Sequence, residues 1–221
     1  MIRRQRSLKS LALMSGGRYK ILADSLTLPG APSKNSPRSL RGFRLATSLE
    51  WHRQDVMKIR VATNADRDAI WEIFHEVVAA GDTYALDPRL SREEALDYWF
   101  AADTQTCVAE SAGLVAGTYI LRPNQSGGGS HVANAAFMVA PEARGQGIGR
   151  AMGEHCLSEA RRLSFRAMQF NFIVSTNESA IRLWKQLGFK IVGTLPDAFR
   201  HPEMGYVDVY VMYRSLLEDH A

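Results

Sequence analysis

Ten residues constrain this chain more than any others. Pro141-Glu142-Ala143-Arg144-Gly145-Gln146-Gly147-Ile148-Gly149-Arg150 lies between an apolar run, HVANAAFMVA (131–140), and a stretch with helical periodicity, 147–162. Three alternate glycines at a strand-to-helix junction let the backbone approach a ligand closely. The helix behind them aims its free N–H groups and positive dipole end at the same space. Arg144 and Arg150 add positive charge. This arrangement suits a pyrophosphate. No Lys-Ser/Thr follows, as a P-loop requires, and Arg150 breaks the G-x-G-x-x-G dinucleotide spacing. The plainer alternative, a glycine-rich turn with no ligand, stays open on this segment alone.

The flanking pattern is mixed α and β without repeats. KIRVA (58–62) reads as a strand, and 66–79 as a helix with Ile70, Ile73, Phe74, Val77 and Val78 on one face. GDTYALDP (81–88) is a loop. Ser91 and Glu94 fit a capping box that opens a helix over 92–100. TQTCVAES (104–111) and LVAGTYILR (114–122) read as strands around a turn at Ala112-Gly113, and NQSGGGS (124–130) as a mobile loop. After the strand at 131–140 and the helix at 147–162 come a strand at 166–174, a helix at 177–187, and strands at 189–196 and 205–216. A single sheet flanked by helices is the natural architecture, of α/β (α+β) class.

Composition enters through charge. Residues 1–56 hold 11 Lys/Arg against 3 Asp/Glu, a net +8, whereas residues 57–221 hold 16 against 20, a net −4. The overall excess of +4 therefore belongs to the leader, and nucleic-acid binding is not implied by total charge. The leader reads as a disordered tail or a mis-assigned start ahead of Met57, with a targeting arm or an acidic partner as the other readings. The domain is expected over 57–221. No apolar run approaches a membrane span, and no secretory signal is evident. Cys107 and Cys156 lack metal-ligand spacing, so no metal is expected, and a reduced cytoplasmic setting is the simplest reading.

A second segment, Asn177-x-x-Ala180-x-x-Leu183-Trp184-x-x-x-Gly188-Phe189, follows the glycine loop. In this order the two segments resemble the GNAT superfamily of acetyl-CoA-dependent N-acetyltransferases. Arg144, Gly147 and Gly149 match its R/Q-x-x-G-x-G/A motif. The helix matches its N-x-x-A-x-x-L-Y-x-x-x-G-F pattern except at Trp184, where Tyr is usual. The look is nearest to small amino acid acetyltransferases of the azetidine-2-carboxylate and, more distantly, phosphinothricin type. The resemblance spans about 57–216.

That resemblance implies a mostly antiparallel mixed sheet splayed between its fourth and fifth strands, with acetyl-CoA in the cleft as acyl donor. Phe137, Met138 and Val139 would pair with the pantetheine arm, with core packing as the plain alternative for Phe137 and Val139. Gly145, Gln146, Gly147, Ile148, Gly149 and Arg150, with Arg144, would hold the pyrophosphate. Asn177 and Trp184 would contact the donor. A strand amide at Met138 or Val139 would face the oxyanion. Trp184 lacks an acidic proton, so Tyr213, Tyr206 or Tyr210 are the candidate acids, unless the thiolate leaves unassisted. Thr83 and Tyr84 (with Asp82), Asn134 and Asn171 are expected to form the acceptor site, against plain loop and backbone-satisfying roles. Glu72, Glu76, Asp82 or an ordered water are the candidate bases.

The expected activity is acetyl transfer to the amine of a small amino acid or related metabolite. Protein or peptide N-acetylation and a catalytically silent acyl-CoA-binding module are the alternatives. A homodimer is expected from the resemblance.

Overall fold

The computed structural model describes residues 57–217, and the leader expected over residues 1–56 lies outside them. Seven strands form one sheet: β1 (Lys58–Val61), β2 (Gln105–Ser111), β3 (Leu114–Pro123), β4 (Val132–Val139), β5 (Ala167–Val174), β6 (Lys190–His201) and β7 (Gly205–Ser215), in the order β1-β2-β3-β4-β5-β7-β6. Every neighbouring pair is antiparallel except β4 and β5. Four helices accompany it: α1 (Arg67–Ala79), α2 (Arg92–Trp99), α3 (Ile148–Arg162) and α4 (Glu178–Gln186).

Local chemistry accounts for most boundaries. α1 buries Ile70, Ile73, Phe74, Val77 and Val78, the stripe that its periodicity marks. Ser91 and Glu94 close the expected capping box at the start of α2. Ala112 (φ 52°) and Gly113 (φ 78°) both take the left-handed conformation that a two-residue hairpin between β2 and β3 demands. The loop at 124–130 is partly ordered, with a 3-10 turn at Gly127–Gly129.

Most boundaries lie within a residue of expectation, and one differs by more. Helix α2 ends at Trp99 rather than at residue 100. Strand β6 runs on to His201, past the expected end at residue 196. Its register with β7 shifts between Leu195 and Phe199, so Pro196 sits where no ladder N–H is needed. Asp197 (φ 52°) donates its N–H to Asp208 Oδ1 at 3.1 Å within that irregularity.

The feature that positions the site is the parting of β4 from β5. Their ladder holds only Val132 with Ala167 and Ala133 with Met168. One step further, Asn134 Nδ2 donates to the carbonyl of Gln169 at 2.9 Å, and beyond it the strands diverge. β5 is irregular over the following stretch, where its pairing with β7 shifts between Phe170 and Ile173. An aromatic cluster packs beside the opening: Phe170 stacks on Phe189 (4.5 Å between centroids), and Trp184 lies 4.7 Å from Phe170 and 4.8 Å from Phe137. Gly153 on α3 makes room for this cluster. A Cβ there would sit 2.6 Å from Leu187 Cδ1 and 3.1 Å from Trp184 Cζ3.

Candidate active site

A cleft of about 1,030 Å³ follows the parted strands. It runs from the β4–α3 junction past Asn134 and Asn171, and is walled by the loop after α1 and the start of α4.

At the junction, Gly145 (φ 78°) and Gly147 (φ 81°) hold left-handed conformations that a side chain would strain. Gly147 caps α3 with no side-chain hydrogen bond, so the amides of the first turn remain available to an anion. Arg144, Gly145, Gly147, Ile148, Gly149 and Arg150 all line the cleft. Arg144 forms no ion pair among the described residues, while Arg150 pairs with Glu154 at 3.3 Å and also reaches Gln186. Gln146 faces elsewhere: its Nε2 donates to the Glu142 carbonyl at 3.1 Å, and it is not a lining residue. Its expected place around the pyrophosphate is corrected to a brace on the loop.

Strand alternation sorts the β4 amides. Ala140 N–H bonds to the Ala116 carbonyl of β3. In the register of Thr118 with Met138, the even-numbered positions therefore spend their backbone groups on β3. Those of Phe137 and Val139 face the cleft. Met138 is thus corrected as a backbone contributor: its amide belongs to the sheet and its side chain is buried. Of the two candidate oxyanion donors, only Val139 faces the opening.

Phe137 is already engaged. The Tyr84 hydroxyl donates to its carbonyl at 2.6 Å and accepts from its N–H at 3.1 Å. A parted strand leaves exactly such polar groups without ladder partners, and Tyr84 satisfies both. Burial raises the phenol's pKa above the ordinary tyrosine value, so it remains neutral and able to donate at neutral pH. Asp82 and Thr83 line the same wall.

Asn134 and Asn171 lie near the end where β4 and β5 are paired. Asn134 bridges the strands as described, leaving its carbonyl oxygen unused by that bond. Asn171 donates to Asn124 Oδ1 at 2.7 Å and accepts from Gln169 Nε2 at 2.7 Å. Asn177 is the N-cap of α4, accepting from Ala180 N–H (3.1 Å) and Ser179 Oγ (3.0 Å), and it also lines the cleft.

Trp184 lines the cleft from α4 within the aromatic cluster. The candidate acids do not reach it. Tyr213 pairs with Gln169 of β5, level with the joined end of β4 and β5 and on the far side of β5 from the opening. Tyr213, Tyr206 and Tyr210 are all absent from the lining, which corrects their expected role. The candidate bases divide: Asp82 lines the cleft, whereas Glu72 and Glu76 do not.

Several lining residues escaped the sequence reading, among them His201, Met204 and Arg122. His201 and Met204 come from the β6–β7 hairpin, which reaches the cleft because β6 continues past Pro196. His201 Nδ1 accepts from the Glu203 and Met204 amides, both at 3.2 Å, which leaves the ring proton on Nε2. Arg122 stands one residue before the end of β3, opposite Asn134. No sequence signal separates it from the many arginines near the ends of surface strands.

No helix among the described residues is long and apolar enough to cross a membrane. The model of the acetyltransferase (GNAT) family matches residues 68–189. N-acetyltransferase aca1 of Schizosaccharomyces pombe is 35% identical over 61% of this chain and 72% of its own. L-amino acid N-acyltransferase MnaT of Escherichia coli is 29% identical over 63% of this chain and 83% of its own. Among solved structures, a GCN5-related N-acetyltransferase from Kribbella flavida superposes with a TM-score of 0.70 and 47% identity, over 72% of this chain and 97% of that one. The structure of yncA from Salmonella typhimurium with its cofactor acetyl-CoA superposes with a TM-score of 0.66 and 28% identity, over 75% and 96%.

Proposed function

The chain belongs to the acetyltransferase (GNAT) family, and from that premise we propose that it transfers the acetyl group of acetyl-CoA to the amine of a small amino acid or a closely related metabolite. One observation carries this reading. A single cleft joins a glycine-capped helix start at Gly147 to Asn134 and Asn171, near the end where β4 and β5 are paired. The first suits a pyrophosphate. The second suits a small polar acceptor. The likeness to an L-amino acid N-acyltransferase supports the same acceptor class.

In this reading the diphosphate sits on the amides at Gly147, Ile148 and Gly149, with Arg144 supplying charge. The pantetheine arm lies along β4 and takes the cleft-facing carbonyl of Val139. Phe137's groups join once the Tyr84 hydroxyl yields or shares them. Asn177 contacts the arm from the start of α4. Trp184 shapes the thioester pocket beside Phe137.

The acceptor nitrogen attacks as a free amine, and an α-amine with a pKa near roughly 8 loses its proton readily enough at neutral pH. Asp82 or an ordered water on the cleft wall receives that proton. The Val139 amide steadies the oxyanion of the tetrahedral adduct. The carbon–sulfur bond then breaks. A thiol of about pKa 8.5 leaves as thiolate without a strong acid, which agrees with an indole at position 184.

The test is CoA thiol release by the full chain with acetyl-CoA and a panel of small amino acids, polyamines and short peptides. Turnover on a small amino acid supports the reading. Turnover confined to peptides or polyamines rejects the acceptor class. Tight acetyl-CoA binding without turnover on any amine favours a silent binding module.

A further inference from the structure

Beside the asparagines lies a second, open pocket of about 450 Å³, lined by Asp103, Arg122, Asn124, Gln125, Asn134 and Asn171, with Pro123, Ser126 and Ser130 completing it. All its lining residues except Pro123 carry polar or charged side chains. Three residues, Arg122, Asn134 and Asn171, line both this pocket and the main cleft, so the two are adjacent there.

Arg122 is the only Lys or Arg in the pocket lining. Among the described residues no carboxylate lies within ion-pair distance of its guanidinium. What holds it is aromatic: the guanidinium carbon stands 5.1 Å from the Tyr98 ring centroid, and Nη2 donates to the Tyr98 hydroxyl at a long 3.4 Å. Stacking of this kind orients the planar group while consuming little of its donor capacity. Arg122 and Asn134 are directly opposite each other in the β3–β4 register, so the charge and the Asn134 amide are fixed by one ladder.

We propose that Arg122 anchors the carboxylate of the acceptor in this pocket, and that the enzyme thereby selects amines bearing a carboxylate on a neighbouring carbon. The inference rests on the amino acid reading above and adds the group that enforces it. A planar guanidinium matches a carboxylate with two parallel hydrogen bonds. With the carboxylate held at Arg122, the amine of a small amino acid projects past Asn134 and Asn171 toward the thioester end of the cleft. Asp103, the acid in the lining, disfavours acceptors that carry a second carboxylate.

The experiment uses matched acceptors: azetidine-2-carboxylate, methionine sulfone and phosphinothricin, each beside its carboxamide. Thiol release is followed for the wild-type chain, Arg122→Gln and Arg122→Lys. The wild type is expected to prefer the carboxylate member. Arg122→Gln raises its KM about 10- to 100-fold, the range of a charge-assisted hydrogen bond, and erases the preference, while KM for acetyl-CoA stays within about twofold. Arg122→Lys keeps the charge without the fork and gives an intermediate rise, and this variant carries the test if the glutamine variant does not fold. A carboxylate KM that moves less than about threefold, or an equal rise for both members of a pair, overturns the anchor and leaves the amino acid reading standing. A wild type that turns over only amines without a carboxylate, or none, overturns both.

Discussion

The two halves of the sheet, parted at the cleft, are built differently. β1 to β4 are covered by α1 and α3, and bury a continuous core that includes Trp99, Val108, Ile120 and Met152. Its buried polar groups are tied off. Trp99 Nε1 donates to Thr118, Thr118 donates to the Cys107 carbonyl, and Thr106 donates to the Trp99 carbonyl. The outer part of β5 to β7 is thin, where Val174, Phe199 and Val209 form a separate small cluster. Edge strand β6 leaves Val192 59% and Leu195 43% exposed. The first half contributes the glycine-capped start of α3, the β4 edge and Arg122. The second contributes Asn171, Trp184 and the hairpin with His201. In the proposed function the thickly covered half presents its strand backbone to the donor, while the lighter half supplies the facing wall.

The largest effect expected from breaking that contrast lies in the thick half. The Asp66 side chain, 6% exposed, accepts two bonds from Arg60 (both 2.8 Å) and two from Thr63 (2.7 and 2.9 Å). The Arg60 bonds, then the Thr63 bonds, hold its pKa well below the ordinary carboxylate range. Asp66→Asn is expected to cost about 2–4 kcal/mol at pH 7, read by urea unfolding. The depressed folded-state pKa gives stability that is present above the unfolded value near 3.9 and lost as pH falls below it. The gap between wild type and variant therefore closes on acidification.

Next comes the seam at which α4 meets α3. Gly153→Val drives a branched side chain into Leu187 and Trp184. A loss of about 1–3 kcal/mol follows, or a fall in Tm of roughly 4–10 °C.

Asn134→Ala tests the junction of the halves directly. It removes the bridge to the Gln169 carbonyl and, in the proposed function, a polar group of the acceptor site. The acceptor KM should rise about tenfold while KM for acetyl-CoA changes little, a split visible in steady-state kinetics.

The smallest effect belongs to the thin half. Val192→Ser on the exposed edge should shift stability by less than about 0.5 kcal/mol. A loss several times larger, dependent on protein concentration, would show that another copy covers this edge.

What the sequence made legible follows from range. The glycine loop, the Ser91–Glu94 box and the Asn177 cap are set by neighbours within a few residues, so their spacing speaks for them. The clamp of Tyr84 on Phe137 joins residues 53 apart, and only the fold brings them together. Periodicity placed Phe137, Met138 and Val139 on a strand, but not which amides face which neighbour. That follows from the β3 register. Tyr213 seemed available as an acid because strand alternation does not reveal that β5 stands between β7 and the opening. The hairpin residues His201 and Met204 were hidden because Pro196 reads as a strand end, while the bulge that tolerates it depends on β7.

The most direct measurement is a crystal structure with CoA and an N-acetylated small amino acid bound together. The account predicts the diphosphate on the amides at Gly147–Gly149, the pantetheine along the cleft edge of β4, and the product carboxylate beyond Asn134 and Asn171. A pantetheine arm lying elsewhere than the β4–β5 opening, or a product bound outside the asparagine-lined end, would contradict it.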